Sequence, residues 1–279
     1  MVNSRERDSV ALLDESAERH QASGVWGLIS GGNDSLANTL VTSQARMFRG
    51  CLHIDTGIGI DETREFVRET CRAQGWPLKV YRAADCGQDY DALAIRYGFP
   101  GPGQHFRMYI RLKERALNRF IREHKTHRHD RLVLSTGARS QESARRMGHV
   151  EPERREGVKV WVNPLHDWSK LECREYIESR GVPQNPVVAL LHMSGECLCG
   201  AFAHPGELDE IALWYPQTAE RIRDLETRVK EAGKPCIWGV RPVRPKQSGD
   251  VRDSAGRKRV SELCQQCELF TEEGQIADE

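Results

Sequence analysis

The sequence carries no excess of either charge sign: 41 Lys and Arg are matched by 41 Asp and Glu, counting histidine as neutral. That excludes a globally basic nucleic-acid binder, although a local basic patch is compatible with it. Long hydrophobic runs are absent too. Mean hydropathy is −0.62, with 38% of residues hydrophobic and 29% charged, and no stretch approaches the length needed to cross a bilayer. The opening Met-Val-Asn-Ser-Arg-Glu-Arg has no apolar core of the kind a signal peptide requires. The expectation is a cytoplasmic, globular chain with no membrane partner. Internal repeats and low-complexity segments are missing. So is the Gly-Lys-Ser/Thr ending of a Walker A loop, and the ten histidines show no metalloprotease spacing. Cysteine, by contrast, is plentiful: nine, an odd number. Without a secretory signal these read as reduced thiols, metal ligands or catalytic groups rather than as a disulfide framework.

The segment with the clearest chemistry is Gly24 to Asn38. An apolar run, Val25 to Ile29, stops at Ser30-Gly31-Gly32-Asn33-Asp34-Ser35, after which Leu36, Leu40 and Val41 begin a helical spacing. A buried strand feeding a helix through two glycines leaves amide N–H groups and the positive end of the helix dipole facing outward, which suits a phosphate. Ser30 and Ser35 add hydroxyls. The same residues also suit an ordinary strand-to-helix turn; the full Ser-Gly-Gly-x-Asp-Ser string in strand–loop–helix context favours phosphate binding. It looks like the PP-loop of the adenine-nucleotide alpha-hydrolase superfamily. Asn33 stands where that loop often has Lys, so the phosphate charge must be offset elsewhere.

Around this loop the pattern is βαβ. Glu6–Gln21 reads as a polar capping helix. Cys51–Ile54 reads as a second strand ending at Asp55-Thr56-Gly57. A helix over 61–74 follows, with Asp61 as N-cap, and Leu78–Tyr81 is a third strand. Such spacing implies right-handed crossovers and a mostly parallel sheet, with ligands at the carboxyl ends of the strands. Tyr90–Tyr97 reads as a short helix. Gly98-Phe-Pro-Gly-Pro-Gly103 reads as an irregular surface loop, and Phe106–His124 as a strongly basic helix. A fourth strand, Leu132–Leu134, leads into a polar, cationic segment with Gly137, Arg139, Arg145 and Arg146; these arginines are candidates for the charge that Asn33 lacks. Val158–Val162 is a further strand, and Ser169 an N-cap for a helix ending near Gly181. Helices over 207–214 and 218–232 follow. The fold expected is α/β: a parallel twisted sheet with helices on both faces. Residues 1–190 form the nucleotide-binding domain, and 191–279 a small helical region bearing paired cysteines.

Cys197-x-Cys199 and Cys264-x-x-Cys267 are the pairs. Together they make a ligand set for either Zn²⁺ or a 4Fe-4S cluster. Cys51, Cys71 and Cys173 fall on apolar faces and read as small core residues.

Several segments resemble, in order, the phosphoadenosine phosphosulfate (PAPS) reductase family. They are the Ser30–Ser35 loop, Ile54-Asp-Thr-Gly57 with Asp61-Glu-Thr63, Thr136-Gly-Ala-Arg-Ser-Gln-Glu-Ser143 with Arg146, Asn163-Pro-Leu-x-Asp-Trp168, and Val182-Pro-x-Asn-Pro186. The resemblance implies an adenine nucleotide (ATP, APS or PAPS) held by Ser30, Gly31, Gly32, Asn33, Asp34, Ser35, Asp55, Thr56, Gly57, Gly137, Arg139 and Arg146. It implies sulfur chemistry beside a 4Fe-4S cluster on Cys197, Cys199, Cys264 and Cys267, and Mg²⁺ if ATP is the substrate. Arg107…Leu112-Lys113 looks like a segment of the DndC branch, which thiolates DNA, with Tyr109 in place of a Cys; Arg107 and Lys113 are the catalytic candidates. No Glu-Cys-Gly-x-His tail of the true reductases is present. Two reactions follow as expectations: a sulfonucleotide reduction, or an ATP-dependent transfer of sulfur to a nucleic acid. The matching partners are an electron donor or a cysteine desulfurase, a nucleic-acid acceptor, and a second copy of the chain. A non-catalytic, zinc-stapled interaction module is the reading from a different class.

Overall fold

The structure is a computed structural model and describes residues 2–125, 127–141, 150–234 and 237–239. Its elements run α1 (Val2–Arg19), β1 (Ala22–Leu28), α2 (Asn33–Thr42), β2 (Phe48–Asp55), α3 (Asp61–Ala73), β3 (Leu78–Arg82) and α4 (Tyr90–Tyr97). Then come α5 (His105–Tyr109), a π-helical turn (Ile110–Glu114), α6 (Arg115–His124), β4 (Arg131–Ser135), β5 (Glu153–Glu156) and β6 (Lys159–Val162). The last are α7 (Lys170–Ser179), α8 (Pro186–Leu191), α9 (Glu207–Trp214) and α10 (Pro216–Glu231).

A six-stranded sheet in the order β3-β2-β1-β4-β6-β5 forms the centre. All pairings are parallel except that of β5 with β6. The inner strands are apolar on both faces, as a covered parallel sheet demands. On one face Val25, Val133, Val160 and Val162 pack against Leu13 of α1, Leu36 and Leu40 of α2, and Tyr176 and Ile177 of α7. On the other, Trp26, Leu28, Leu52, Leu134 and Trp161 meet Ala116, Leu117 and Phe120 of α6. Helices thus cover both faces. A further core joins Tyr90, Leu93, Phe99, Met108 and Leu112 to Leu191, Leu198, Ile211, Ile222 and Leu225. The stretch after residue 190 therefore shares its apolar interior with residues 83–112.

Three local expectations change. Asp61 is the first residue of α3 rather than its cap: Ile60 holds that position without a side-chain bond, and Asp61 pairs instead with Arg64. Gly98–Gly101 is buried, not a surface loop, because Phe99 inserts into the helical core, and Pro102–Gln104 forms a 3-10 turn. The basic helix changes hydrogen-bond register at the π turn. Ahead of and inside that turn Met108 and Leu112 face the helical core, whereas beyond it Ala116, Leu117 and Phe120 face the sheet. Ser169 does cap α7, through a capping box with Glu172: the Glu172 N–H donates to Ser169 Oγ at 3.1 Å and the Ser169 N–H to Glu172 Oε2 at 2.7 Å.

Candidate functional site

The strands β1, β2 and β4 run side by side, with Leu28 opposite Leu52 and Gly27 opposite Ser135. Ser30, Asp55 and Gly137 therefore come to one rim, at or just past the carboxyl ends. The turn after β1 is built by its own side chains. Ser35 Oγ donates to the Gly32 carbonyl at 2.8 Å and accepts the Ser30 N–H at 3.2 Å. Gly31 has φ +84°, and a Cβ there would lie 2.6 Å from Thr63 Cγ2, so both conformation and space call for glycine. Leu36 is the first residue whose amide closes the helical ladder, onto the Gly32 carbonyl. The N–H groups of Asn33, Asp34 and Ser35 have no acceptor among the described residues. Unpartnered first-turn amides at the positive end of a helix dipole form an anion-binding cradle.

A second strand end closes on this cradle. Gly137 comes so near α2 that a Cβ would sit 2.5 Å from the Asp34 carbonyl oxygen and 3.0 Å from the Ser35 nitrogen. Asn38, Thr42 and Ser135 tie α2 to β4: Asn38 Nδ2 donates to the Ser135 carbonyl at 3.2 Å, and Ser135 Oγ donates to Asn38 Oδ1 at 2.7 Å. Arg139, expected as a phosphate-facing cation, is buried, with its Nη2 3.0 Å from Asp34 Oδ2. Its charge is engaged by the loop's own carboxylate.

At the end of β2, Asp55 accepts the Gly57 N–H at 2.9 Å and pairs with Arg64 at 3.1 Å, with Arg82 at 3.7 Å. Burial pushes this carboxyl up, but the Gly57 N–H and Arg64 outweigh it and hold it below the ordinary carboxylate range. Asn185, the N-cap of α8, reaches across: its Nδ2 donates to the Gly31 carbonyl at 3.0 Å and to Thr63 Oγ1 at 3.1 Å.

The loop 194–199, which carries Cys197 and Cys199, is fastened to this rim through its carbonyls. Those of Ser194, Gly195 and Glu196 accept from Thr63 Oγ1 (2.6 Å), Ile60 N (2.8 Å) and Thr56 Oγ1 (2.9 Å). Those of Leu198 and Cys199 accept from Trp238 Nε1 (2.7 Å) and Tyr90 OH (2.8 Å). Both thiols are buried and hydrogen-bonded to each other. That contact and burial push the Cys197 thiol well up, against the opposing pull of Lys113. Lys113 belongs to the π turn and is not on a solvated face. It is buried, and its Nζ lies 2.6 Å from Glu196 Oε2. Close by, His53 donates from Nδ1 to the Ile29 carbonyl at 2.9 Å. Burial, the largest influence, pushes its imidazole down despite Glu196 and Asp55. Among the described residues three buried acceptor atoms here have no donor: Asn33 Oδ1, His53 Nε2 and Glu196 Oε1.

The structure thus gathers Ser30, Gly31, Gly32, Asn33, Asp34, Ser35, Asp55, Thr56, Gly57, Gly137 and Arg139 at one rim. Lys113, Cys197 and Cys199 lie beneath loops that touch it. Arg107 lies on the exposed side of α5. Arg145, Arg146, Cys264 and Cys267 fall outside the described residues. Among the described residues no group of three or more His, Cys, Asp or Glu is placed to hold a metal ion, and no helix is long and apolar enough to cross a membrane. Residues missed from the sequence are His53, Thr63 and Glu196 as rim partners, and Trp238. The available signals were a polar residue inside the apolar run Cys51–Ile54 and an acid wedged between Gly195 and Cys197.

Comparison with known proteins bears on this rim. The family model described as phosphoadenosine phosphosulfate reductase domain matches residues 24–192. A search of curated proteins found no match. Among solved structures the chain is similar to the phosphate complex of phosphoadenylyl-sulfate (PAPS) reductase from Candida auris, at 17% identity and TM-score 0.50, over 68% of this chain and 90% of that one. NMN synthetase from Francisella tularensis matches at 15% identity and TM-score 0.47, over 79% and 95%. FMN adenylyltransferase from Candida glabrata, with FAD and inorganic pyrophosphate, matches at 10% identity and TM-score 0.43, over 68% and 61%. At 17% identity the first of these likenesses is one of fold.

Proposed function

The chain belongs to the phosphoadenosine phosphosulfate reductase domain family, and from that premise we propose that it is an enzyme that binds an adenine nucleotide at the Ser30–Ser35 loop and performs sulfur chemistry on it. The observation that carries this reading is the row of unpartnered amides at Asn33, Asp34 and Ser35, pinned from one side by Gly137 and Arg139 and from the other by Asn185. A phosphate or sulfate oxygen satisfies those donors with no rearrangement of the loop. The reaction put first is reduction of a sulfonucleotide. A second reading, ATP-dependent transfer of sulfur to a nucleic acid, is favoured by one feature. Tyr97 is 52% exposed and carries the guanidinium groups of Arg111 and Arg96 at 4.5 and 5.1 Å from its ring centroid. That is a cationic, aromatic surface suited to stacked bases. In that version Mg²⁺ arrives with the ATP.

The paired thiols fit one half of a metal-thiolate centre. Cys197 and Cys199 are held side by side by a loop whose carbonyls are fastened, and Trp238 pins residues 237–239 against the same loop. Residues 237–239 therefore lie beside the first pair. Cys197, Cys199, Cys264 and Cys267 would hold a 4Fe-4S cluster, or Zn²⁺ in its place. A bound cluster supplies electron transfer or a polarising charge next to the nucleotide; zinc supplies a structural tie.

The test is direct. Protein purified without oxygen is assayed for iron, sulfide and zinc, and its melting temperature is followed with ATP, APS and PAPS. A nucleotide at a hundred times its Kd adds about 2.7 kcal/mol, which at this chain length raises Tm by roughly 5–10 °C. Release of pyrophosphate against sulfite then separates the two reactions. A colourless, zinc-containing protein whose Tm no nucleotide moves would leave only the interaction module.

A further inference from the structure

His53 is a buried titratable side chain to which the nucleotide reading gives no task. It lies on β2, 2% exposed, and its Nδ1 donates at 2.9 Å to the carbonyl of Ile29, the residue before Ser30. A carbonyl can only accept, so the neutral ring carries its proton on Nδ1 and leaves Nε2 as a bare acceptor. Nε2 is buried without a donor among the described residues, and so is Glu196 Oε1. The charges that face the ring are Glu196 from the loop 194–199, Asp55 from its own strand and Lys113 from the π turn; of these Glu196 acts on it most strongly. Asp55 is shared with Arg64 and Arg82, and Lys113 is held by Glu196 Oε2.

Two buried acceptors without a donor are a standing cost. One proton on Nε2 turns the ring into a donor at both nitrogens and leaves the bond to Ile29 as it is. Glu196 supplies a carboxylate oxygen in need of such a donor. What opposes the step is the burial of an added charge, which keeps the ring neutral while the loop is empty. An anion on the N–H groups of Asn33, Asp34 and Ser35, a few residues further along the same loop, brings the opposite charge and tips that balance.

We propose that seating an anion on the loop after β1 draws a proton onto His53 Nε2, so that ligand and proton bind together. His53 is then a cation that exists only while the loop is occupied, in addition to any that other segments bring to the rim. The proposal rests on the nucleotide reading above and goes beyond it in making the affinity of that site proton-linked. The sign follows: the ring's pKa is higher in the occupied state than in the empty one. Between the two values one proton is taken up per anion, and affinity falls about tenfold per unit as pH rises; above both values it is flat.

The probes are APS and inorganic sulfate, neither of which changes charge between about pH 5.5 and 8. Calorimetry of the full chain in buffers of different ionisation enthalpy counts the protons taken up with APS. The count is expected to approach one as pH falls towards the lower limit and zero at the upper. In a chain with ¹⁵N-labelled histidine, the ring identified by its cross-peaks to Ile29 is expected to raise its pKa by about one unit or more in saturating sulfate. His53→Gln should bind APS with no proton uptake and with an affinity independent of pH; the resonance measurement stands even if that variant does not fold. No uptake with APS, a ring pKa that sulfate does not move, or the same pH slope in His53→Gln overturns the proposal and leaves the nucleotide reading standing. Binding of neither probe removes the proposal together with the sulfonucleotide form of that reading.

Discussion

Substituting Arg139 by Met keeps an unbranched apolar stem and removes the guanidinium with its charge. The guanidinium it removes lies 3.0 Å from Asp34 Oδ2, and the two side chains are 6% and 4% exposed. Asp34 would then be a carboxylate nearly out of water without its ion partner. Breaking a buried pair from one side costs about 3–5 kcal/mol. Asp34 lies in the first turn of α2, where the helix dipole returns up to about 2 kcal/mol in a buried setting. The net expectation for Arg139→Met is a loss of about 3 kcal/mol, or roughly 6–12 °C in Tm at this chain length. Asp34→Asn alone leaves Arg139 buried and is expected to cost a similar amount. The double variant replaces both charges and should recover most of the loss, giving a coupling of about 2–3 kcal/mol. Urea unfolding of the wild type, both single variants and the double variant measures this, provided the m-value stays constant. A single-variant loss under about 1 kcal/mol, or a double variant no better than the sum of the singles, would refute the view that this pair holds the loop on β4.

Other consequences can be checked separately. Gly137→Ala drives a Cβ into the backbone of Asp34 and Ser35, which cannot yield as a side chain can; a loss of about 1–3 kcal/mol and of any nucleotide-induced rise in Tm is expected in thermal melts. Asn185→Ala removes the α8 cap and the bonds to Gly31 and Thr63; we expect about 2 kcal/mol of destabilisation, with hydrogen exchange accelerating around residues 30–35 before it does in β1. His53 is neutral and buried, with its pKa lowered by burial. The unfolded chain takes up its proton near pH 6.5 while the folded chain resists, so stability from this residue is full above that pH and falls as pH drops below it, by up to about 1.4 kcal/mol per unit. His53→Gln should flatten the stability curve between pH 7 and 5.5; an unchanged slope would show that His53 is protonated alike in both states.

Much of the rim could be read from the chain because its chemistry is local. A glycine turn between an apolar strand and a helix announces itself within a few residues, and parallel crossovers then place the next strand ends beside it. Ser30, Asp55 and Gly137 meet for that reason. What could not be read depends on partners far along the chain. Lys113 looks like one more charge on a basic helix until Glu196, distant in sequence, is brought 2.6 Å from it. Arg139 looks available for phosphate until Asp34 is seen to occupy it. The short antiparallel β5, Glu153–Glu156, has no apolar period to betray it and takes its pairing from β6. Gly98–Gly101 has the composition of a loop, and only the packing of Phe99 takes it inside.

The extra-wide turn at Ile110–Glu114 has a bearing on how this family member can vary. A helix with one uninterrupted register offers its neighbours a single stripe; this one offers two, aimed at separate interiors, and the offset between them is stored in one spot. Deleting a single residue there would restore the ordinary winding and swing everything on one side of the deletion by about 100° about the axis. Either the α6 contacts with the sheet or the seating of Lys113 beside Glu196 would have to be given up. Length changes in this segment should therefore be far less tolerated than substitutions.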